Sequence, residues 1–135
     1  MKTKDEILSS LPYYTGTEQY HRWSSLFRNV VATDGAHFIA ESCDAFWLLD
    51  AIASHIATNV KLRCDEQLRY FQVWELTVKD GAAVLTCKAD TNVPHVVKQE
   101  IEYTDFPLDD IKLWVEPSEG PDGKTIWVIL LPSEH

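Results

Sequence analysis

Basic residues are scarce. Twelve Lys and Arg stand against twenty-one Asp and Glu in 135 residues, leaving a net charge of −9. Such a chain has no basic footprint for a phosphate backbone or an anionic membrane, so neither nucleic acid nor membrane is expected as a direct partner. Glycine and proline are few and scattered, at five and six residues, which excludes collagenous and low-complexity chains. Long apolar runs are missing as well. The longest, Ala45–Leu49 and Ile126–Leu131, fall far short of the roughly 20 residues a membrane-spanning helix needs. The opening residues Met1–Ser10 carry neither the apolar run nor the small-residue cleavage site of a secretory signal. The three cysteines, Cys43, Cys64 and Cys87, are odd in number, widely spaced and without C-x-x-C, which argues against a disulfide framework. A cytoplasmic location is expected.

What is present is a globular mix, 45% hydrophobic and 24% charged. A chain of this length buries roughly two-thirds of its unfolded surface, enough for one core without staples. A single domain over 1–135 is expected. Its helical part covers about 3–58 and its sheet part about 70–131. The fold class is α+β, with N-terminal helices packed on one face of an antiparallel sheet of about five strands. Thr3 with Glu6 reads as a capping box for a short helix ending before Pro12. Thr15 with Glu18 repeats the device, followed by Tyr20, Trp23 and Phe27 at helical spacing, a stripe that would face the core. Thr33 caps a third helix whose Ala36, Ile39 and Cys43 share a face, and Asp44 caps Ala45–Ala57, a run apolar nearly all round and read as the central buried helix.

From Tyr70 the period changes to two. Asp80-Gly81 is a two-residue hairpin signal, which sets Lys79 opposite Ala82 and so places Val78 opposite Ala83, Leu76 opposite Leu85 and Trp74 opposite Cys87 on one apolar face. Glu75 and Thr77 oppose Thr86 and Val84 on the other. Further strands are expected at Val96–Tyr103, with Val97, Ile101 and Tyr103 inward, at Ile111–Glu116, with Ile111, Leu113 and Val115 inward, and at Thr125–Leu131. The last is apolar on both faces, yet a simple meander leaves it at an edge, where it would invite association. Either it lies inside the sheet, or the N-terminal segment covers it, or a second subunit does. Trp114, placed by parity on the outer, charged face, adds to the case for a homodimeric contact through Trp114 and Ile126–Leu131.

No catalytic constellation stands out. None of His21, His37, His55, His95 and His135 forms H-x-x-x-H or H-E-x-x-H, so no metal site is expected, and no glycine-rich loop or nucleophile motif suggests a cofactor or covalent catalysis. Cys87 points into the core beneath Trp74 as a small hydrophobe. One carboxyl, Asp50, lies within the most apolar helix, with Ser54 and His55 nearby. Desolvation there would raise its pKa as acid–base chemistry needs, unless a loop donor or an arginine holds it. Together with the Tyr20, His21, Arg22 and Trp23 segment, Asp50 and His55 form a candidate small-molecule or acid–base pocket.

The remaining feature is acidic. From Gln99 to Gly123 eight acids face one base, Lys112. Glu100, Glu102, Asp105, Asp109, Asp110 and Glu116, with Trp114, are a candidate protein-partner surface that could imitate a phosphate backbone, although Lys79, Lys88, Lys98 and Lys112 offer ordinary cross-strand pairs.

The phrases Thr15–Tyr20 (TGTEQY), Thr33–Glu41 (TDGAHFIAE), Phe46–Ser54 (FWLLDAIAS), Tyr103–Pro107 (YTDFP) and Leu131–Glu134 (LPSE) resemble those of an uncharacterised family of short single-domain bacterial, plasmid and phage proteins. The resemblance runs from about residue 13 and implies no activity and no site residues, only an association with mobile elements. The expected function is a non-enzymatic binding protein acting through a protein–protein surface, in its sharpest form an acidic accessory that blocks a host nucleic-acid-binding factor. The pocket and the homodimeric module are the alternatives.

Overall fold

Asp80 and Gly81 both take left-handed backbone conformations, with φ of 54° and 76°, as a tight two-residue hairpin requires. In the computed structural model, which describes residues 2–17, 19–90 and 92–135, this turn joins β2 (Gln72–Lys79) to β3 (Ala82–Lys88). Lys79 faces Ala82, Leu76 faces Leu85 and Trp74 faces Cys87, the expected register. Trp74, Leu76, Leu85 and Cys87 are all buried. Strand β4 (Val97–Ile101) adds to β3, while β5 (Asp110–Glu119) crosses to the far side of the hairpin and pairs with β2. The resulting order β5-β2-β3-β4 is that of a Greek key. The third strand ends sooner than expected, and Tyr103 is 83% exposed rather than inward. Its chain has left the strand at Ile101 to begin the crossover.

Strand β6 (Thr125–Leu130) continues antiparallel to β5, and a sixth strand, β1 (Val30–Ala32), lies parallel to it on the other side. The full order is β1-β6-β5-β2-β3-β4. This placement accounts for the apolar character of β6 on both faces. Trp127 and Ile129 join Val30 and Ala32 in the main core, whereas Ile126 and Val128 pack with Val31 in a second cluster. Ile126–Leu131 is buried throughout. The unpaired apolar edge that motivated a subunit contact is filled from within the chain.

The helices cover one face. In α1 (Lys4–Ser10) the Thr3 hydroxyl accepts from the Glu6 N–H, and a 3-10 turn at Leu11–Tyr13 follows. In α2 (Asp34–Ser42) Thr33 caps and Ala36 and Ile39 are buried, with buried Cys43 just beyond. Leu48 and Ile52 of α3 (Phe46–Thr58) meet Trp74, Leu76, Leu85, Ile111 and Leu113 across the layer. Asp44 does not cap α3. With φ of 51° it closes α2 instead: the Ala45 N–H returns to the Ala40 carbonyl and the Asp44 N–H to that of Glu41, a Schellman ending. A further short helix, α4 (Val60–Cys64), leads towards the sheet. Fully buried Gln72 secures this passage. Its amide donates to the carbonyls of Leu62 and Leu68, and its Oε1 accepts from the Trp74 indole at 2.9 Å.

The helix expected around Tyr20–Phe27 is absent. Glu18 of its capping box lies outside the described residues, and from Gln19 to Asn29 the chain forms no helix. The His21 N–H and carbonyl both bond to Ala32, an isolated antiparallel bridge that borders β1. That bridge demands extended backbone where a helix would need coiled backbone. Trp23 and Phe27 still reach the core, half-buried, but Tyr20 is 49% exposed.

Candidate functional site

The structure disperses the pocket residues. Asp50 is exposed, not desolvated: it lies on the open face of α3 with Ser54 and Ala57, and its Oδ1 accepts from the Trp23 indole at 2.8 Å. The carboxyl is therefore a latch that holds the loop around Trp23 against α3. His55 lies elsewhere, with Nε2 2.7 Å from Gln99 Oε1 and its ring tilted against Trp74. Of the proposed set, Trp23 and Asp50 come together. His21 and Arg22 turn to two different grooves, and Tyr20 faces solvent.

His21 enters a cluster that sequence spacing did not suggest. Its ring stacks on His37 of α2 at 4.3 Å between centroids, and its Nε2 pairs with Asp34 Oδ1 at 2.8 Å. His37 Nδ1 is 3.7 Å from Glu41 one turn on, and Phe46 meets its ring edge-on. Tyr14, stacked on Phe38, Lys2 and Gln19 complete a groove of about 420 Å3. Burial, helped by the neighbouring His21, lowers the His37 pKa against the opposing pull of Glu41 and Asp34. Burial, with Asp34, Glu134 and Glu41, raises that of Tyr14. Within the cluster His21 is paired with Asp34 and His37 lies beside Glu41, while Lys2 sits over the Phe38 ring. The helical period does place His37 and Glu41 on one face, but His21 joins them only through the edge bridge.

The second groove, about 480 Å3, is different in kind. One wall is the loop before β1, where Trp23 and Phe27 turn inward and Arg22 and Arg28 line the opening; the other is the β5–β6 turn with Pro121, Asp122 and Lys124. Ile126 lies between them. Both walls are tied down. The Trp127 N–H bonds the Asn29 carbonyl at 2.7 Å, Gly120 and Lys124 close the turn by a 2.8 Å backbone bond, and Asp122 Oδ1 accepts the Lys124 N–H. Three cations thus face one carboxylate, and among the described residues none of Arg22, Arg28 and Lys124 has an ion-pair partner. Arg28 and Lys124 lie almost a hundred positions apart, beyond the reach of motif reading.

The acidic residues do not converge. Lys4 binds Asp109 at 3.0 Å, Lys112 lies 3.9 Å from Glu75, Lys98 lies 4.0 Å from Glu100, and His135 reaches Glu116 at 3.2 Å. Glu102 and Asp105 are exposed on the crossover and Asp110 stands opposite Thr77. Lysines interleave with the acids across the outer face, so the surface alternates in sign. Trp114 is half-buried there, edge-on to Phe71 at 5.0 Å and to His135 at 5.3 Å.

Burial pushes the Cys43 and Cys87 thiols up to about 12, which leaves them inert, while Cys64 is exposed. Among the described residues no group of three or more His, Cys, Asp or Glu side chains is arranged to hold a metal ion, and no helix is long and apolar enough to cross a membrane.

Comparison with known proteins adds family and fold. The model of a family of unknown function, DUF6876, matches residues 5–135. No curated protein matches. A crystal structure of a protein of unknown function from Enterococcus faecalis is similar at a TM-score of 0.52 and 18% identity, over 87% of this chain and 98% of that one.

Proposed function

The chain belongs to the family of unknown function DUF6876, and since membership supplies no activity, we propose from the geometry alone that it is a non-enzymatic binding protein whose recognition site is the Arg22–Arg28–Lys124 groove. The group it takes is anionic, a carboxylate or phosphate carried by its partner. One observation carries this reading: three cations that have no ion-pair partner among the described residues converge on one groove, with Asp122 as its one acid, in a protein of net charge −9. In so acidic a chain, basic side chains are readily paired, and cations left unpaired around a concavity leave their donors for a ligand. Arginine suits the role, because its planar fork matches carboxylate and phosphate oxygens in pairs. The anchored walls support it further, since a preorganised site loses less entropy on binding. The histidine groove is the weaker candidate because His21 is already paired with Asp34 and His37 lies beside Glu41, and the interleaved lysines argue against an acidic phosphate mimic.

The test is a titration of the 15N-labelled full chain with inorganic pyrophosphate and, separately, with citrate. Amide shifts are expected in 22–29 and 120–126, to be lost in the R22A/R28A double variant and weakened by salt. Shifts confined to other parts of the sheet, or undiminished in the double variant, would overturn the reading.

A further inference from the structure

The two edges of the sheet are not equally closed. Strand β1 is bordered by the His21 bridge, but β4 ends the sheet on the other side, and among the described residues no strand pairs with its second edge. Natural edges of this kind are commonly blunted by charged side chains, by proline or by inward-pointing charges. Val97-Lys98-Gln99-Glu100-Ile101 has no proline and no inward charge, and its two charges, Lys98 and Glu100, are of opposite sign on the outer face. It reads instead as its own complement.

We propose that two copies of this chain pair edge to edge through β4, antiparallel about a two-fold axis at Gln99, to give one continuous sheet of twelve strands. Directly opposed residues in an antiparallel pair share a face, so only registers that oppose residues of like parity keep Val97 and Ile101 on the helical side. Three such registers lie near the strand centre. One sets Lys98 against Lys98, one sets Glu100 against Glu100, and the third sets Lys98 against Glu100 twice. Charge selects the third, which also opposes Val97 to Ile101 and centres Gln99 on Gln99. Lys98 and Glu100 lie within reach of the seam, 4.0 Å apart on the outer face with side chains 53% and 77% exposed. Gln99 is held still by His55 at 2.7 Å, so the strand is ordered before it pairs.

The flanks agree. Tyr103, 83% exposed, follows the strand, and Val93, 37% exposed, precedes it. In the antiparallel arrangement the end of each β4 meets the beginning of the other, which brings Tyr103 beside the second copy's approach to the strand. The Val96 N–H bonds the Cys87 carbonyl and the Thr104 N–H that of Gly81 in the hairpin turn, so the chain is tied to the hairpin on both sides of β4. This seam is distinct from β6, which is interior, and does not depend on the basic groove.

Sedimentation velocity on the full chain across a wide concentration range tests it. The wild type is expected to form dimers that weaken as salt is raised. K98E and E100K each turn two attractive cross-strand pairs into repulsive ones, and each is expected to weaken dimerisation roughly tenfold or more. The K98E/E100K double variant restores opposite charges and should recover the dimer. An equimolar mixture of K98E with E100K should associate although neither does alone, because two acids on one strand then face two lysines on the other. A wild type that stays monomeric into the millimolar range overturns the proposal. So does a dimer that both single variants leave unmoved, or a mixture that associates no better than its components.

Discussion

Strands β2 and β3 hold each other through seven opposed pairs radiating from one two-residue turn. At the other side of the sheet, β1 contributes three residues to a parallel pairing with β6, a strand nearly a hundred positions away. Around β1, single long-range contacts replace repetition. The Thr33 N–H bonds the Ile129 carbonyl, and Glu134 accepts from the Thr33 hydroxyl at 2.6 Å and from the N–H groups of Gly35 and Leu131. Ser133 bonds the Tyr14 carbonyl at 2.7 Å. The hairpin is a local structure that nearby residues enforce. The seam between the two chain ends closes only when distant segments have met, so a few atoms there decide whether a region is formed. Subglobal opening is therefore expected at the seam first.

The largest effect should come from breaking the hairpin side. Trp74 is buried at the meeting of α3 and the sheet, and its indole satisfies Gln72 Oε1. Trp74→Ala should cost about 3–5 kcal/mol, the range for emptying a core aromatic site. Urea denaturation followed by circular dichroism reads the loss. A cost under about 1 kcal/mol would show that the layer is not packed on this residue.

At the seam a smaller substitution should act locally. Gly35 lies in the first turn of α2, where an added Cβ would fall 2.5 Å from Glu134 Oε1 and 2.6 Å from a Leu131 methyl. Gly35→Ala must displace the carboxylate that caps the helix. The lost cap, about 0.5–2 kcal/mol, less about 1 kcal/mol gained by removing a helical glycine, leaves at most about 1 kcal/mol of destabilisation. Hydrogen exchange should quicken in 30–36 and 125–135 while β2 and β3 keep their protection. Uniform acceleration across the sheet would show that the two regions open as one.

The same contrast explains what could be read in advance. The Asp-Gly turn and alternation of period two gave the hairpin register residue by residue, because every cause lies within a dozen positions. The α+β class followed from the change of period near Tyr70. Val30-Val31-Ala32 was invisible as a strand, since three residues show no period and the partner comes from the opposite end of the chain. Trp23 and Phe27, four apart, imitated a helical stripe although each anchors a loop. Asp50 could have been placed correctly. With Ser54 and Ala57 it marks a small and polar line along α3, which the surrounding apolar residues obscured. The basic groove could not be assembled, because only the closed seam brings Arg22 and Arg28 to Lys124.

The mildest perturbation is pH, and it too should separate the regions. His37 faces His21 across the ring stack, with Asp34 bound to His21, Glu41 a turn away, Phe46 at its edge, and Tyr14 and Lys2 in the same groove. Burial first, and His21 second, depress its pKa below the ordinary 6.5. A depressed base binds fewer protons folded than unfolded, so its contribution is complete above about pH 6.5 and declines as pH falls through the lower, folded value. Wild type should therefore lose more stability than His37→Gln between pH 7 and pH 5, in paired urea titrations. Because the stack joins α2 to the segment bordering β1, hydrogen exchange at low pH should rise around 30–36 before it rises in the hairpin. Equal slopes for the two proteins would show that carboxylates elsewhere govern the acid response. A steeper slope for the variant would mean that Glu41 and Asp34 outweigh burial at His37.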